Sequence, residues 1–194
     1  MAKLYFKYGV MGSSKTAQAL ITQFNYEERG MSVWLIKPGT DTRAGVDIVK
    51  SRIGLKRKAD VIYETDSIIE KYKEVGKHDV IIADEANFFT PAQIDEFREL
   101  VDFYDVPVLC FGLKTDFLTH AFPGSLRLLE LADSLTEIKT ICSCGAKATV
   151  SARIDSNGKV VTQGGQILVG GNDSYVAMCH KCWKEKTRKQ ESKK

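Results

Sequence analysis

Three groups of residues in this chain have the types and spacing to do chemistry. The first lies near the start, where Gly9-Val10-Met11-Gly12-Ser13-Ser14-Lys15-Thr16 follows a stretch in which Leu4, Phe6 and Tyr8 alternate with other residues. Its spacing is close to that of a phosphate-binding loop, G-x-x-x-x-G-K-[ST]. Such a loop turns backbone N–H groups onto a phosphate, and the helix after it adds unsatisfied N–H groups and a positive dipole end. Lys15 would bring a cation to the β- and γ-phosphates, and the Thr16 hydroxyl would ligate Mg²⁺. One position departs from the pattern: Ser14 stands where glycine is usual, and a Cβ there crowds the phosphate or restricts φ. An ordinary glycine turn between a strand and a helix has a similar look, so a second element must decide.

The second group supplies it. Asp84-Glu85 ends the apolar run Val80-Ile81-Ile82-Ala83, about 68 residues after Thr16. In phosphate-loop proteins a later buried strand ends in an acid that holds Mg²⁺, directly or through water. Asp84 fits that role. Glu85 follows at the C-terminal end of a strand, where ligands of parallel sheets bind. A carboxylate there can take a proton from an attacking hydroxyl or water. Together the two groups point to a nucleoside-triphosphate site.

The third group is four of the five cysteines, in two close pairs: Cys142-Ser143-Cys144 and Cys179-His180-Lys181-Cys182. Zinc takes four tetrahedral N or S ligands in closed structural sites. Two chelating pairs at the ends of a loop would staple a subdomain too small to fold by burial alone. The first pair has one intervening residue where two are usual, and His180 is an alternative ligand. Free thiols or a redox pair are the other readings. Cys110 lies alone in an apolar run and reads as a small core residue.

These groups need elements to position them. Lys15 to Arg29 reads as a helix with Leu20, Ile21 and Phe24 on one face. Ser32 to Ile36 is a buried strand, and Lys37 to Lys58 a long polar stretch. Ala59 to Tyr63 is a short strand, and Asp66, as N-cap, opens a helix running to Val75. Asp79 to Ala83 suits a parallel strand buried on both faces. Thr90-Pro91-Ala92-Gln93 carries a capping box and a first-turn proline, and Ile94, Phe97, Val101 and Tyr104 form the stripe of the helix that follows. Val106 to Phe111 is another buried strand. Strands and helices alternate to about residue 135, which predicts an α/β fold with a parallel sheet flanked by helices. Beyond it, residues 136–183 read as a small β-rich domain. Lys184 to Lys194, with six basic and two acidic residues, reads as a frayed basic tail.

The totals exclude little beyond the extremes. The chain has 194 residues, enough for one α/β domain and a small appendage. A net charge of +3 is too mild to argue for nucleic acid. No apolar run approaches the ~20 residues of a membrane span, and the start lacks the apolar core of a signal peptide. The expected location is the cytoplasm, where paired cysteines suggest metal more than disulfides.

Taken together, the motifs resemble the thymidine kinase family of the compact, zinc-bearing type. The resemblance rests on Tyr8-Gly9-Val10-Met11 with Lys15-Thr16, on Asp41-Thr42-Arg43, and on Ser51 to Leu55. It continues through Ala83-Asp84-Glu85-Ala86-Asn87-Phe88-Phe89, Gly112 to Phe117, Lys139 to Gly145 and Val169 to Tyr175. It implies that ATP donates its γ-phosphoryl group to the 5′-hydroxyl of thymidine, with Glu85 as catalytic base. It extends the ATP and Mg²⁺ site to Ala86 and Asn87, and puts Asp41 and Arg43 near the phosphates and metal. Met11, Phe88, Phe117 and Phe122 would surround the base. The segment from Ile167 to Tyr175 would form a lasso over the nucleoside, with backbone groups near Val169 and Gly171 on the base and Tyr175 near the sugar. The resemblance further implies a homotetramer inhibited by dTTP, with structural Zn²⁺ on Cys142, Cys144, Cys179 and Cys182. Two rivals remain: a phosphate-loop ATPase or a kinase of another nucleoside, and a zinc-ribbon nucleic-acid module using Arg52, Lys56, Arg57, Lys58 and the basic tail.

Overall fold

The apolar strands of the first 137 residues build one parallel sheet. A computed structural model of the chain describes residues 1–40, 45–166 and 174–191. The strands are β1 (Leu4–Tyr8), β2 (Val33–Pro38), β5 (Asp60–Ile62), β6 (Val80–Ala83), β7 (Val108–Gly112) and β8 (Ser134–Glu137), in the spatial order β5-β2-β6-β7-β1-β8. Every neighbouring pair is parallel. The central strands β6 and β7 are buried at every residue, as their unbroken apolar runs require.

Period-two alternation sends the two faces of the sheet into two cores. Ile81 and Ala83, with Leu4, Phe6, Trp34 and Ile36, pack under α2 (Ile68–Val75), α3 (Pro91–Tyr104) and α4 (Pro123–Leu131). Val80 and Ile82, with Leu35, Leu109 and Phe111, pack under α1 (Lys15–Glu27). Cys110 is fully buried in the first core, as expected. The third core is small. It holds Cys142, Ala148, Val150, Ala152, Val160, Met178, Cys179 and Trp183, and lies around the antiparallel pair β9 (Val150–Arg153) and β10 (Tyr175–Met178).

Several local expectations hold and others shift. Thr90 accepts the Gln93 N–H while the Gln93 side chain accepts from the Thr90 N–H, completing the capping box on α3. On α2 the cap is Ser67, not Asp66: its hydroxyl accepts the Glu70 N–H, whereas Asp66 accepts the Tyr63 N–H and faces Lys71. Glu96 of α3 reaches across to the N–H groups of Ile68 and Ile69. On α1 the buried face is Ala17, Ala19, Leu20 and Gln23, and Ile21 and Phe24 are each 46% exposed. Alanines bring that helix close to the sheet, so the face is set by small residues that an apolar stripe does not reveal. The polar stretch 37–58 contains an antiparallel hairpin, β3 (Ile48–Lys50) with β4 (Lys56–Lys58), anchored by buried Val49. The basic tail is helical: α5 runs from His180 to Glu191, with Trp183 and Thr187 buried on its inner side.

Candidate active site

The phosphate loop hangs between β1 and α1, where the chain must turn within six residues. Gly9 donates its N–H to the Gly112 oxygen at 3.2 Å, tying the loop to β7, and Ser13 N–H closes a turn onto the Val10 oxygen at 3.2 Å. A Cβ on Gly9 would stand 2.4 Å from Ser13 Oγ and 2.5 Å from the Ile138 oxygen, so only glycine fits. Gly12 has φ +77°. Ser14 takes φ 65° and ψ 22°, the left-handed conformation for which glycine is the usual choice. The serine is accommodated at a strain of about 1–2 kcal/mol.

The cations and acids of the site converge here. Lys15, 8% exposed, folds back so that Nζ donates to the Val10 oxygen at 2.9 Å. Thr16 Oγ1 donates to Asp84 Oδ2 at 2.9 Å, bringing together the two residues that the motif pairs on Mg²⁺. Burial, and after it the neighbouring Glu85 charge, push the Asp84 carboxyl up to about 7, against the Thr16 hydrogen bond. Glu85 sits at the end of β6 with φ 50° and ψ 39°, a left-handed conformation that a non-glycine residue holds only where its surroundings impose it. The short turn Ala86–Phe88 follows, with Phe88 N–H on the Glu85 oxygen at 3.0 Å. Ala86 is fully buried, and Asn87 Oδ1 accepts the Leu113 N–H at 2.9 Å. Asn87 thereby ties this turn to the end of β7.

The hairpin β3–β4 reaches the same place. Arg52 Nη1 lies 3.7 Å from where a Cβ on Gly12 would stand, so a guanidinium overhangs the phosphate loop. Lys37, fully buried at the end of β2, donates to the Gly45 and Ile48 oxygens at 3.3 and 3.1 Å and fixes the hairpin's base. Neither position is visible in spacing alone. Asp41 and Arg43 lie outside the described residues.

The residues expected around a base divide between two elements of the site. Phe88 and Phe122 meet edge to face at 5.5 Å. Phe117 is 1% exposed, in a loop that Asp116 organises by accepting the N–H groups of Leu118 and His120 at 2.9 Å. Met11 donates its backbone N–H to Ser151 Oγ of β9 at 3.0 Å, and Val10 packs against the third core. The phosphate loop and the small β-rich region therefore touch. Tyr175 opens β10, and its hydroxyl accepts from Arg153. Val169 and Gly171 lie outside the described residues. A cleft of about 300 Å³ beside Phe88, lined also by Pro38, Thr40, Tyr63 and Gln93, opens at the C-terminal ends of β2 and β5.

The four cysteines of the third group come together. The sulfurs of Cys142, Cys144, Cys179 and Cys182 all lie within 4.8 Å of one another, and Cys144 Sγ is 3.7 Å from Cys179 Sγ. Four sulfurs on a tetrahedral zinc, at about 2.3 Å each, stand about 3.8 Å apart. The cluster therefore fits zinc in donor type and in spacing. The single-residue spacer of the first pair is absorbed by a tight turn, in which Gly145 N–H meets the Cys142 oxygen at 2.9 Å and Cys142 N–H meets the Ala146 oxygen at 2.8 Å. The backbone N–H groups of Cys144 and Cys179 hold the Cys142 thiol down to about 6, toward the thiolate that binds metal. The neighbouring sulfurs, Cys179 first, push Cys182 up to about 12. His180 stands apart from the cluster, its ring 5.5 Å from that of Trp183.

Comparison with known proteins agrees with this arrangement. The family profile described as thymidine kinase matches residues 2–183. The chain is 42% identical to the thymidine kinase of Ruegeria pomeroyi over 96% of either chain. It is 44% identical to that of Enterobacteria phage T4, over 97% of this chain and 99% of the phage protein. Against the thymidine kinase of Legionella pneumophila strain Lens the identity is 45%, over 92% of this chain and 88% of the relative.

Proposed function

This chain belongs to the thymidine kinase family and transfers the γ-phosphoryl group of ATP to the 5′-hydroxyl of thymidine, giving dTMP and ADP; we propose that Glu85 is the base that receives the hydroxyl proton. The observation that carries the assignment is the Thr16–Asp84 contact of 2.9 Å with Glu85 beside it. It joins the phosphate loop to a strand end that bears two adjacent acids. The ATP phosphates lie on Gly9, Val10, Met11, Gly12, Ser13 and Ser14, with Lys15 neutralising the charge of the transferred group. Arg52, overhanging Gly12, adds a second cation. Thr16 and Asp84 would hold Mg²⁺, which would supply positive charge to offset that of the phosphates. The turn Ala86–Asn87 fixes Glu85 against β7.

On the other side, Met11, Phe88, Phe117 and Phe122 enclose the base. Val169, Gly171 and Tyr175 complete the nucleoside side, and closure of that pocket keeps water from the phosphoryl group. The proton leaves O5′ for the Glu85 carboxylate as the new P–O bond forms, and ADP departs with the broken bond's electrons. Structural Zn²⁺ on Cys142, Cys144, Cys179 and Cys182 staples residues 136–183 as a unit beside the 1–135 kinase unit. The same site accepts dTTP as a feedback inhibitor, since that molecule carries both the thymidine and the triphosphate. Exposed Ile21, Phe24 and Phe103 support subunit association, as a homotetramer. Five cysteines, none of them in a disulfide, suit a cytoplasmic enzyme.

The test is ADP release from Mg-ATP, with and without thymidine, for the wild type and Glu85→Gln. Thymidine-dependent turnover that falls by about 10²–10⁴ in the variant, with thymidine still bound, is the expected result. Turnover indifferent to thymidine would overturn the acceptor, and full activity in Glu85→Gln would overturn the base.

A further inference from the structure

Arg153 is the most connected buried cation of the small β-rich region, and no motif marks it. It lies on β9, 6% exposed. Its guanidinium carbon stacks 3.8 Å above the centre of the Phe117 ring. Nε and Nη2 both donate to Tyr175 Oη, at 3.0 and 2.8 Å. Nη1 donates to the Gly165 oxygen at 3.1 Å and Nη2 to the Gln166 oxygen at 3.3 Å. Among the described residues every acceptor is a neutral oxygen. A second tie runs alongside: Gln166 Nε2 donates to Asp116 Oδ2 at 3.0 Å, and Asp116 holds the loop that carries Phe117.

Two consequences follow from this geometry. The planar fork spans Gly165 and Gln166 on one side and Tyr175 on the other, and stacks both onto Phe117 of the kinase unit. It thus joins two aromatic residues of the nucleoside half-site that are distant in sequence. Second, a phenol oxygen has two lone pairs. With one N–H on each, Tyr175 has no acceptor capacity left, and its own O–H is free to donate.

We propose that Arg153 is a positioning residue of the nucleoside half-site, which sets Phe117 and Tyr175 and turns the Tyr175 hydroxyl into a hydrogen-bond donor aimed at an acceptor oxygen of the nucleoside. The proposal rests on the thymidine-kinase reading and deepens it. Lysine keeps the charge at position 153 but not the fork, because an ammonium cannot stack flat on Phe117 and hold three oxygens in one plane.

The experiment measures kcat and the separate KM values for thymidine and ATP in the wild type, Arg153→Lys, Tyr175→Phe and the double variant, with zinc content and melting temperature recorded for each. Arg153→Lys is expected to raise the thymidine KM by about tenfold or more, the scale of a lost charge-assisted hydrogen bond. The ATP KM should stay within about twofold, the resolution of a uniform-binding argument. Tyr175→Phe should raise the thymidine KM in the wild-type background and add little in the Arg153→Lys background. An unchanged thymidine KM in Arg153→Lys, an equal rise in both KM values, or additive effects in the double variant would overturn the proposal. Should Arg153→Lys fail to fold or to retain zinc, Tyr175→Phe decides: an unchanged thymidine KM there overturns the donor role. A wild type that does not turn over thymidine would instead overturn the reading on which the proposal stands.

Discussion

At the scale of single residues the site is a set of strained or desolvated groups held by neighbours. Ser14 carries a Cβ in a left-handed conformation. Glycine there relieves about 1–2 kcal/mol of strain but adds about 0.5–1 kcal/mol of unfolded-chain freedom, so Ser14→Gly is expected to be neutral to mildly stabilising. The ATP KM should remain within about threefold, less than 1 kcal/mol; a tenfold gain in affinity would show that the serine obstructs the phosphate. Asp84 carries the opposite tension. Its carboxyl titrates near 7 when folded, against about 3.9 in an unfolded chain. Between those values the folded state keeps a proton that the unfolded state has released, so stability falls as pH rises from about 4 to 7. In Asp84→Asn that slope should disappear. The ligand-free variant should melt higher than the wild type at pH 8, by about 2–4 °C for each kcal/mol relieved, while phosphoryl transfer is lost. Calorimetry across that pH range reads both. Lys15, Thr16 and Asp84 were legible in the sequence because motif spacing fixes them. Lys37 and Arg153 were not, because a lone cation has no period or spacing of its own; Arg52 was visible only as a member of a basic stretch and of the Ser51–Leu55 motif, not as a cation over the phosphate loop.

At the scale of elements, local rules worked where the chain satisfies its own hydrogen bonds. The capping box of α3 is readable because Thr90 and Gln93 lie three residues apart. The cap of α2 was misplaced by one residue because two neighbouring polar residues compete for it, and Asp66 is diverted to Tyr63 and Lys71. The face of α1 was misread because Ala17 and Ala19 bury little area yet allow close approach. The hairpin within 37–58 is polar on β4 at every position, so no alternation announces it. The β9–β10 region depends on its cysteines: its core is small, and two strands alone are marginal in water. Stripping the metal with a chelator, or Cys179→Ser, is therefore expected to expose residues 136–183 to proteolysis and abolish thymidine binding. The fragment spanning 1–137, which keeps all of β8, should keep its circular-dichroism signal. Loss of the whole fold in one transition would show that the two units are not separable.

At the scale of the whole molecule, the six-stranded order places the phosphate loop between β7 and the small β-rich region, so both units of the chain border one site. The α/β class was legible from alternation alone, but the strand order was not, since parallel neighbours such as β1 and β8 lie more than a hundred residues apart. Ile21, Phe24 and the 81%-exposed Phe103 leave apolar surface that the proposed homotetramer would cover. Light scattering should return four times the 21.6 kDa chain mass. Replacing Ile21 and Phe24 by serine should lower that mass without unfolding the chain, because neither side chain is needed by the core.

The placement of β1 also dictates a timetable. Leu4–Tyr8 leaves the ribosome long before its neighbours, residues 108–112 and 134–137. The N-terminal strand must wait through most of synthesis, apolar and unpaired, and Gly9 cannot find its Gly112 acceptor until then. A nascent chain halted short of residue 112 holds every residue of the phosphate loop but neither the strand nor the carbonyl to which Gly9 is tied. The loop's geometry therefore arrives late, only once the far strands have been made.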